Sequence, residues 1–374
     1  MPKKGRLWMA FMAGASMLAG GAALTTPAQA AGISHKATHV AVNHRAEGSS
    51  SPVTLLESGS TLLYPLFLEW IPPYQKSHAG VTITPAATGS GTGIADAVAG
   101  TVQIGASDAY MSNEQMKPGI EDIPLAISAQ VISYNIPGLN GRHINLNGSL
   151  LARIYSGQIK YWNSKPLVQA NPGVKLPSKR IVAIRRADSS GDSFLFTSYL
   201  TDSALSDWSY GYSTSPNWPS VSNEMSATGN GGMVNALKAN PYSIAYVGIS
   251  YLNQLQSDHL GYGALQNRDG KYVLPTSASI VAAAAQMVPK TTSGERVSLI
   301  YAPGKTSYPI INYEYAIIND HQPSKTMASA LTTLLKWAIN SKAGNSGKFL
   351  NPVHFQPLPA SIIKLDMAQI NRIH

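Results

Sequence analysis

Four times along this chain a short apolar stretch ends in a loop built from Gly, Ser, Thr and Asp. The loops are Gly59-Ser60-Thr61, Gly89-Ser90-Gly91, Ala106-Ser107-Asp108 and Arg186-Ala187-Asp188-Ser189-Ser190-Gly191-Asp192. The stretches ahead of them, residues 53–57, 81–85, 102–105 and 181–185, have the apolar patterning of strands. After all but the third, a helical pattern follows. Strands alternating with helices imply parallel sheets covered by helices on both faces. In such sheets ligands sit in the crevice at the carboxyl ends of the strands. Further strands are expected over residues 129–134, 244–249 and 313–318, and helices over 94–99, 150–155 and 194–200. Ser324 is expected to cap an amphipathic helix whose apolar face carries Met327, Ala330, Leu331, Leu334, Leu335 and Ala338. At 374 residues the chain is long enough for two domains.

The loops suit oxyanion binding. Gly lets backbone come close to a ligand. Amides at a helix start have no partner inside the helix and carry the positive end of its dipole. Ser and Thr add short neutral donors, and Arg186 adds a planar charged fork. Taken singly, each loop also reads as an ordinary turn or cap, and Arg185-Arg186 as a surface pair. Four together at equivalent strand ends point to one site. Asp108 and Asp192 need a separate reason, because carboxylates repel an anion. They fit a guest that brings protons to donate, as hydrogen phosphate and dihydrogen phosphate do and sulfate does not. The other reading of Asp108 is a turn cap or a partner for Arg186.

The N-terminus reads as a secretory signal peptide over residues 1–30. Lys3, Lys4 and Arg6 precede an apolar stretch, and Ala28-Gln29-Ala30 is a small-x-small cleavage pattern. Residues 31–52 read as a flexible polar leader; its His35, His39 and His44 lack a frame for a metal site. The chain has no Cys, hence no disulfide and no lipoprotein cysteine, and a freely soluble periplasmic or secreted protein is expected. Net charge is +9, or +6 without the signal segment, which favours encounter with anions. Dense Lys/Arg runs with interleaved aromatics are absent, so nucleic acid is not an expected partner. No cofactor or metal is implied.

The loops, in this order, resemble those of the PstS family of periplasmic phosphate-binding proteins of ABC phosphate-uptake systems. The resemblance covers nearly all of the mature chain and is carried by Glu57-Ser-Gly-Ser-Thr-Leu, Gly89-Ser-Gly-Thr-Gly, Val102-Gln-Ile-Gly-Ala-Ser-Asp-Ala, Tyr134-Asn-Ile-Pro-Gly-Leu, Ile154-Tyr-Ser-Gly-Gln-Ile-Lys-Tyr-Trp, the stretch from Arg185 to Leu200, and Ile244-Ala-Tyr-Val. It implies a two-lobed, type II-like periplasmic-binding-protein clamp, α/β in both lobes, with phosphate between them and a two-segment hinge. Lobe I would comprise residues 53–133 plus 307–374, and lobe II residues 134–306. The chain would cross near residues 133–137 and 301–309.

The same resemblance implies roles at the site. Thr61 would supply a hydroxyl, Leu62 a backbone N–H, and Ser90 a hydroxyl or N–H. Asp108 would accept a proton-borne hydrogen bond. Arg186 would be the main cationic donor, with Asp188 holding it, and Ser60 would support the first loop. Ser190 would donate its hydroxyl, Gly191 and Asp192 their N–H groups, and the Asp192 carboxylate is a candidate second acceptor. The family usually has an aromatic residue at the position of Leu62, which a backbone role tolerates. The partners implied are inorganic phosphate and the permease and ATPase subunits of an ABC importer, with the binding protein a monomer.

Competing readings are a protein for another oxyanion, such as sulfate or molybdate, a secreted phosphatase or serine hydrolase, and a surface or adhesion protein. Asp108 argues against the first. No Gly-x-Ser-x-Gly elbow, no His-Glu-x-x-His motif and no His in the four loops argue against the second, so no catalytic residue is expected. Intact loops argue against the third. One departure concerns the fold. Pro72-Pro73 fall inside the first helix, which is expected to kink or end near Ile71.

Overall fold

The computed structural model describes residues 52–374; the expected signal segment and the leader with its three histidines lie outside the described residues, apart from Pro52. The first elements are β1 (Val53–Gly59), α1 (Tyr64–Ser77), β2 (Val81–Thr84), α2 (Ser90–Ala99) and β3 (Ile104–Ser107). A long strand β4 (Ile120–Asn135) follows, then β5 (Asn145–Leu146), α3 (Gly148–Tyr155), α4 (Lys165–Ala170), β6 (Val182–Arg186) and α5 (Gly191–Ser203). Next are β7 (Glu224–Ala227), α6 (Gly229–Ala239), β8 (Ser243–Gly248), α7 (Leu252–Ser257), β9 (Gly261–Tyr262), β10 (Ala264–Gln266), β11 (Tyr272–Val273) and α8 (Ser277–Met287). The chain closes with β12 (Ile311–Asn319), α9 (Lys325–Ala338), α10 (Gly347–Leu350) and α11 (Ala360–Ile370).

The main sheet runs β2-β1-β3-β12-β4-β8-β6-β7, with β9 also on β4. β1, β2 and β3 are parallel, as are β6, β7 and β8; β4 is antiparallel to β12 on one side and to β8 on the other. β4 changes partner midway. Its first part, from Ile120 to Ala129, pairs with β12, and its last part, from Gln130 to Asn135, pairs with β8. This divides the sheet into two α/β lobes that share one continuous strand. A second crossing lies alongside: Gln130 N–H donates to Ile310 O (3.1 Å) and Tyr308 OH to Gln130 O (2.8 Å). In each lobe the parallel order reverses around a central strand, β1 or β6, so the loops after neighbouring strands diverge and open a crevice.

The apolar strands expected from the sequence are present, as is the capped helix. Ser324 Oγ accepts from Met327 N–H (3.1 Å), and Leu331, Leu334, Leu335 and Ala338 are buried. Two elements differ. β4 is sixteen residues long, far longer than the expected 129–134 stretch, because Glu121, Asp122 and Pro124 interrupt its apolar pattern. Pro124 cannot donate to a ladder and sits at a register irregularity against β12, where proline is tolerated. The second difference is α1, which does not end near Ile71 but runs on to Ser77. The carbonyls that lose their donors to Pro72 and Pro73 belong to Leu68 and Glu69, both on the exposed face, where water can serve them. Beyond the prolines, Tyr74 is buried and packs edge-on against Trp337, 5.2 Å between centroids, which anchors the last turn.

The core also encloses carboxyls. Asp366 on α11, Glu295 and Asp122 are buried together, and Gln369 donates to Glu295 Oε2 and to Asp122 O. Neither Asp366 oxygen meets a donor. Burial pushes Asp122 and Glu295 up to about 7, Glu57 to about 8, and Asp366 well above the usual range, where Glu295 adds repulsion. Each of these groups binds an extra proton in the folded state. Their stabilisation is complete below the unfolded value of about 4 and fades as pH rises through about 7. Asp188, held low by Arg186, acts in the opposite sense only in strong acid. The ligand-free protein is therefore expected to melt several degrees higher at about pH 5.5 than at about pH 8. Differential scanning calorimetry checks this, and Asp366→Asn is expected to flatten the slope.

Candidate functional site

The four loops converge where the lobes meet. Thr61, Ser90 and Asp108 come from the first three loops and Arg186, Ser190 and Asp192 from the fourth, and none is more than 4% exposed. Three helix starts face one another there: α2 at Ser90, α5 at Gly191 and α6 at Gly229. The chain reaches the first through Gly89, whose φ of 99° is a conformation only glycine adopts readily. A Cβ on Gly191 would lie 2.5 Å from both Ser90 Oγ and Asp108 Oδ2, so a hydrogen at this position is what lets the α5 start approach the opposite lobe.

The first lobe contributes donors and one acid. Ser60 Oγ donates to Asp108 Oδ1 and accepts from the N–H groups of Leu62 (3.1 Å) and Leu63 (2.8 Å), so it caps the turn leading into α1 while orienting the carboxylate. Leu62 N–H is thus directed at Ser60. Ser90 Oγ accepts from Asp108 N–H (3.1 Å), which leaves its proton for another acceptor. Asp108 is pushed up to about 7 by burial and by Asp192, against the pull of Ser60, Glu314 and Arg186.

The second lobe contributes the cation. Arg186 Nε donates to Asp188 Oδ1 (2.7 Å), one terminal nitrogen to Asp188 Oδ2, and the other, NH1, to Asp192 Oδ2 (2.9 Å). Guanidinium has five N–H groups. Three are engaged by the two carboxylates, and one on each terminal nitrogen remains, a fork spaced for two oxygens of a tetrahedral anion. The carboxylates outweigh burial and raise the arginine further above its ordinary value, so it stays charged. Burial works against Asp188, but the Arg186 hydrogen bond and charge hold it below the usual range; Asp192 is raised by burial despite Arg186. Ser190 Oγ accepts from Ser193 N–H (3.2 Å) as the cap of α5, again with its proton to spare. The Asp192 carboxylate is fully engaged: Oδ1 accepts from Gln130 Nε2 (3.0 Å), and Oδ2 accepts from Asn230 Nδ2 (2.6 Å) as well as Arg186.

Asn230 was not expected. It is completely buried. Its N–H and Nδ2 donate to Thr61 Oγ1 across the cleft (3.1 and 3.0 Å), Nδ2 also serves Asp192, and Oδ1 accepts from Gly248 N–H (2.8 Å). The signal was present: Gly229-Asn230-Gly231-Gly232 is a fifth Gly-rich stretch that follows a strand and opens a helix. Its strand, β7, is four residues long and partly exposed, so the apolar pattern that flagged the others is missing. Gln130, Glu314 and Tyr246, whose OH accepts from Arg186 N–H (2.9 Å), were also not expected; each lies mid-strand in an apolar run. Beside the site, Gly91 N–H to Ser189 O (3.0 Å) and Ser250 Oγ to Leu62 O (2.8 Å) also join the lobes.

Known proteins are similar to this chain. The family model of the PBP superfamily domain matches residues 25–342. A phosphate-binding protein PstS of Haemophilus influenzae is 31% identical over 315 residues, which cover 83% of this chain and 91% of that protein. The chain belongs to the PstS family. A second PstS, from Methanocaldococcus jannaschii, is 29% identical over 88% of this chain and 90% of its own length. The PstS-type fold also matches the crystal structure of a phosphate-binding protein from Stenotrophomonas maltophilia, with a TM-score of 0.64, 19% identity, and coverage of 84% of this chain and 93% of that one.

Removing Asn230 would leave Asp192, Thr61 and the Gly248 amide short of partners in a dry interior. Asn230→Ala is expected to cost about 1–3 kcal/mol of stability. Asn230→Asp is expected to cost more, because a further carboxylate would face Asp192. Urea denaturation curves of the two variants check both the size and the order.

Proposed function

We propose that this protein captures inorganic phosphate between its lobes outside the cytoplasmic membrane and delivers it to an ABC importer. The observation that carries the proposal is the charge balance of the site. One guanidinium stands among three carboxylates, Asp108, Asp188 and Asp192. A fully deprotonated dianion would meet a net negative cleft and an Asp108 that offers it nothing. A guest that is both acceptor and donor satisfies every group. Its oxygens take the Arg186 fork, the Thr61, Ser90 and Ser190 hydroxyls and the helix-start amides of Gly191 and Asp192, and its proton goes to Asp108. Hydrogen phosphate and dihydrogen phosphate have that chemistry.

The role of Asp188 is to aim the guanidinium, and the Asp192 carboxylate, engaged by Gln130, Asn230 and Arg186, acts as a second brace for it. Leu62 contributes through Ser60 and the α1 turn. The lobe division follows residues 53–133 plus 307–374 and 134–306, supported by the change of partner along β4. The protein acts as a monomer and carries no catalysis, in keeping with relatives described as phosphate-binding proteins and as an ABC transporter substrate-binding protein. An exported location fits the signal-like N-terminus of the sequence.

Calorimetric titration with phosphate and with sulfate tests this. Phosphate is expected to bind with discrimination of about 10⁴-fold or more over sulfate, as when a buried polar group rejects the guest that leaves it unpaired. Asp108→Asn, which exchanges an acceptor for an amide able to donate, is expected to lower phosphate affinity and narrow that ratio. Equal affinity for the two anions in the unaltered protein would overturn the assignment.

A further inference from the structure

Behind Asp108 stands a second carboxyl that phosphate capture, as read above, does not use. Glu314 lies on β12 where its register against β4 shifts, between Glu314 and Tyr315, and it is wholly buried. Such irregularities re-aim side chains beside functional sites. Glu314 Oε1 accepts from Asn312 Nδ2 (3.0 Å) and shares with Asn312 Oδ1 the single proton of Ser128 Oγ (2.5 and 2.7 Å). Asn312 Nδ2 also reaches Asp108 O (3.3 Å), so one amide fixes both residues. Glu314 Oε2 meets no hydroxyl or N–H donor. The Glu314 side chain is instead within hydrogen-bond reach of the Asp108 side chain.

Two ionised carboxylates do not share a dry contact; one of them must carry a proton. The surroundings decide which. Asp108 accepts from Ser60 at Oδ1 and also feels Arg186, while Asp192 opposes it. Among the described residues the charge that acts on Glu314 is that of Asp108, and burial together with that neighbour raises it well above its ordinary value. The proton belongs on Glu314.

We propose that Glu314 is a neutral acid that donates its Oε2 proton to Asp108, and that it thereby keeps Asp108 an acceptor and sets discrimination between protonated and unprotonated tetrahedral anions. With Oδ1 taken by Ser60, Asp108 Oδ2 is left facing the α5 start at Gly191, where the guest sits. Without Glu314, Asp108 loses a donor that favours its ionised form. Beside Asp192 it then takes up a proton itself and turns from acceptor into donor. A site with a donor there would admit sulfate. Glu314 is a positioning residue, since it acts through Asp108, and the proposal rests on the phosphate reading above.

Two variants and two readouts test it. Glu314→Gln can accept from Ser128 and Asn312 with its oxygen and donate to Asp108 with its amide, so the phosphate-to-sulfate ratio is expected to stay within about 3-fold of the unaltered protein. Glu314→Met fills the space without a donor, and the ratio is expected to fall at least about 30-fold at neutral pH. It is expected to recover as pH is raised and Asp108 ionises. Equal weakening of both anions in both variants, with the ratio intact, would show a merely structural residue and overturn the proposal. The infrared difference spectrum of unaltered protein minus Glu314→Gln, near pH 7.5, is expected to contain the carbonyl stretch of one protonated carboxyl. Its absence would also overturn the proposal. The infrared readout needs no ligand, so a protein that ignored phosphate would refute the functional reading while the position of the proton was still decided.

Discussion

The clamp on Arg186 is the interaction on which the rest of the site depends. A guanidinium with a side chain only 1% exposed must be compensated or leave the interior. Asp188 and Asp192 compensate it from two directions, and each is anchored to a different element. Asp188 Oδ1 also accepts from Gly229 N–H at the start of α6 (3.1 Å), and Asp192 belongs to the first turn of α5. The pair thus fixes the plane of the fork and ties two helix starts to it. With three donors committed, the remaining two have one direction in which to point. A lysine in the same place would keep the charge and lose the plane.

That clamp has a consequence for selectivity. Asp188 and Asp192 together outweigh the arginine, and Asp108 adds a third acid. On the proposed reading, attraction for anions at the cleft comes from the two free Arg186 N–H groups and from neutral dipoles: hydroxyls of Thr61, Ser90 and Ser190, and amides at helix starts. A design of this kind rejects a guest that lacks a hydrogen to give. The net positive charge of the sequence, +9, or +6 without the expected signal segment, favours encounter with anions at long range. Beside the site the lobes meet through Thr61 and Asn230, Gly91 and Ser189, Ser250 and Leu62, and Gln130 and Asp192. A hinge on a shared strand would let such bonds open and re-form, which delivery requires.

Much of this was legible in the sequence because the chemistry sits on local patterns. Strand, polar loop and helix start are contiguous, so Gly89-Ser90-Gly91 or Ser190-Gly191 reveals both its backbone role and its place at a strand end. What escaped was encoded in tertiary packing. Pro72-Pro73 carry a strong local signal to stop, and it is overridden because the freed carbonyls face water and Tyr74 is wedged against Trp337. Asn230 follows a strand too short and exposed to read as one. Glu314 and Gln130 are polar residues in the middle of apolar strands, where sequence alone cannot separate a buried network from a solvent-facing position. The partner change within β4 is likewise invisible locally, because a sixteen-residue strand with a proline at its bulge reads as two pieces.

The central claim is that the guest keeps its proton and uses it in a hydrogen bond to Asp108 across the range in which free phosphate changes its protonation state. Phosphorus-31 resonance of the bound anion, followed from about pH 5.5 to about pH 8.5, tests it most directly. The account predicts a bound signal that holds its position while the free signal moves through its titration. A bound signal that titrates alongside the free one would contradict it.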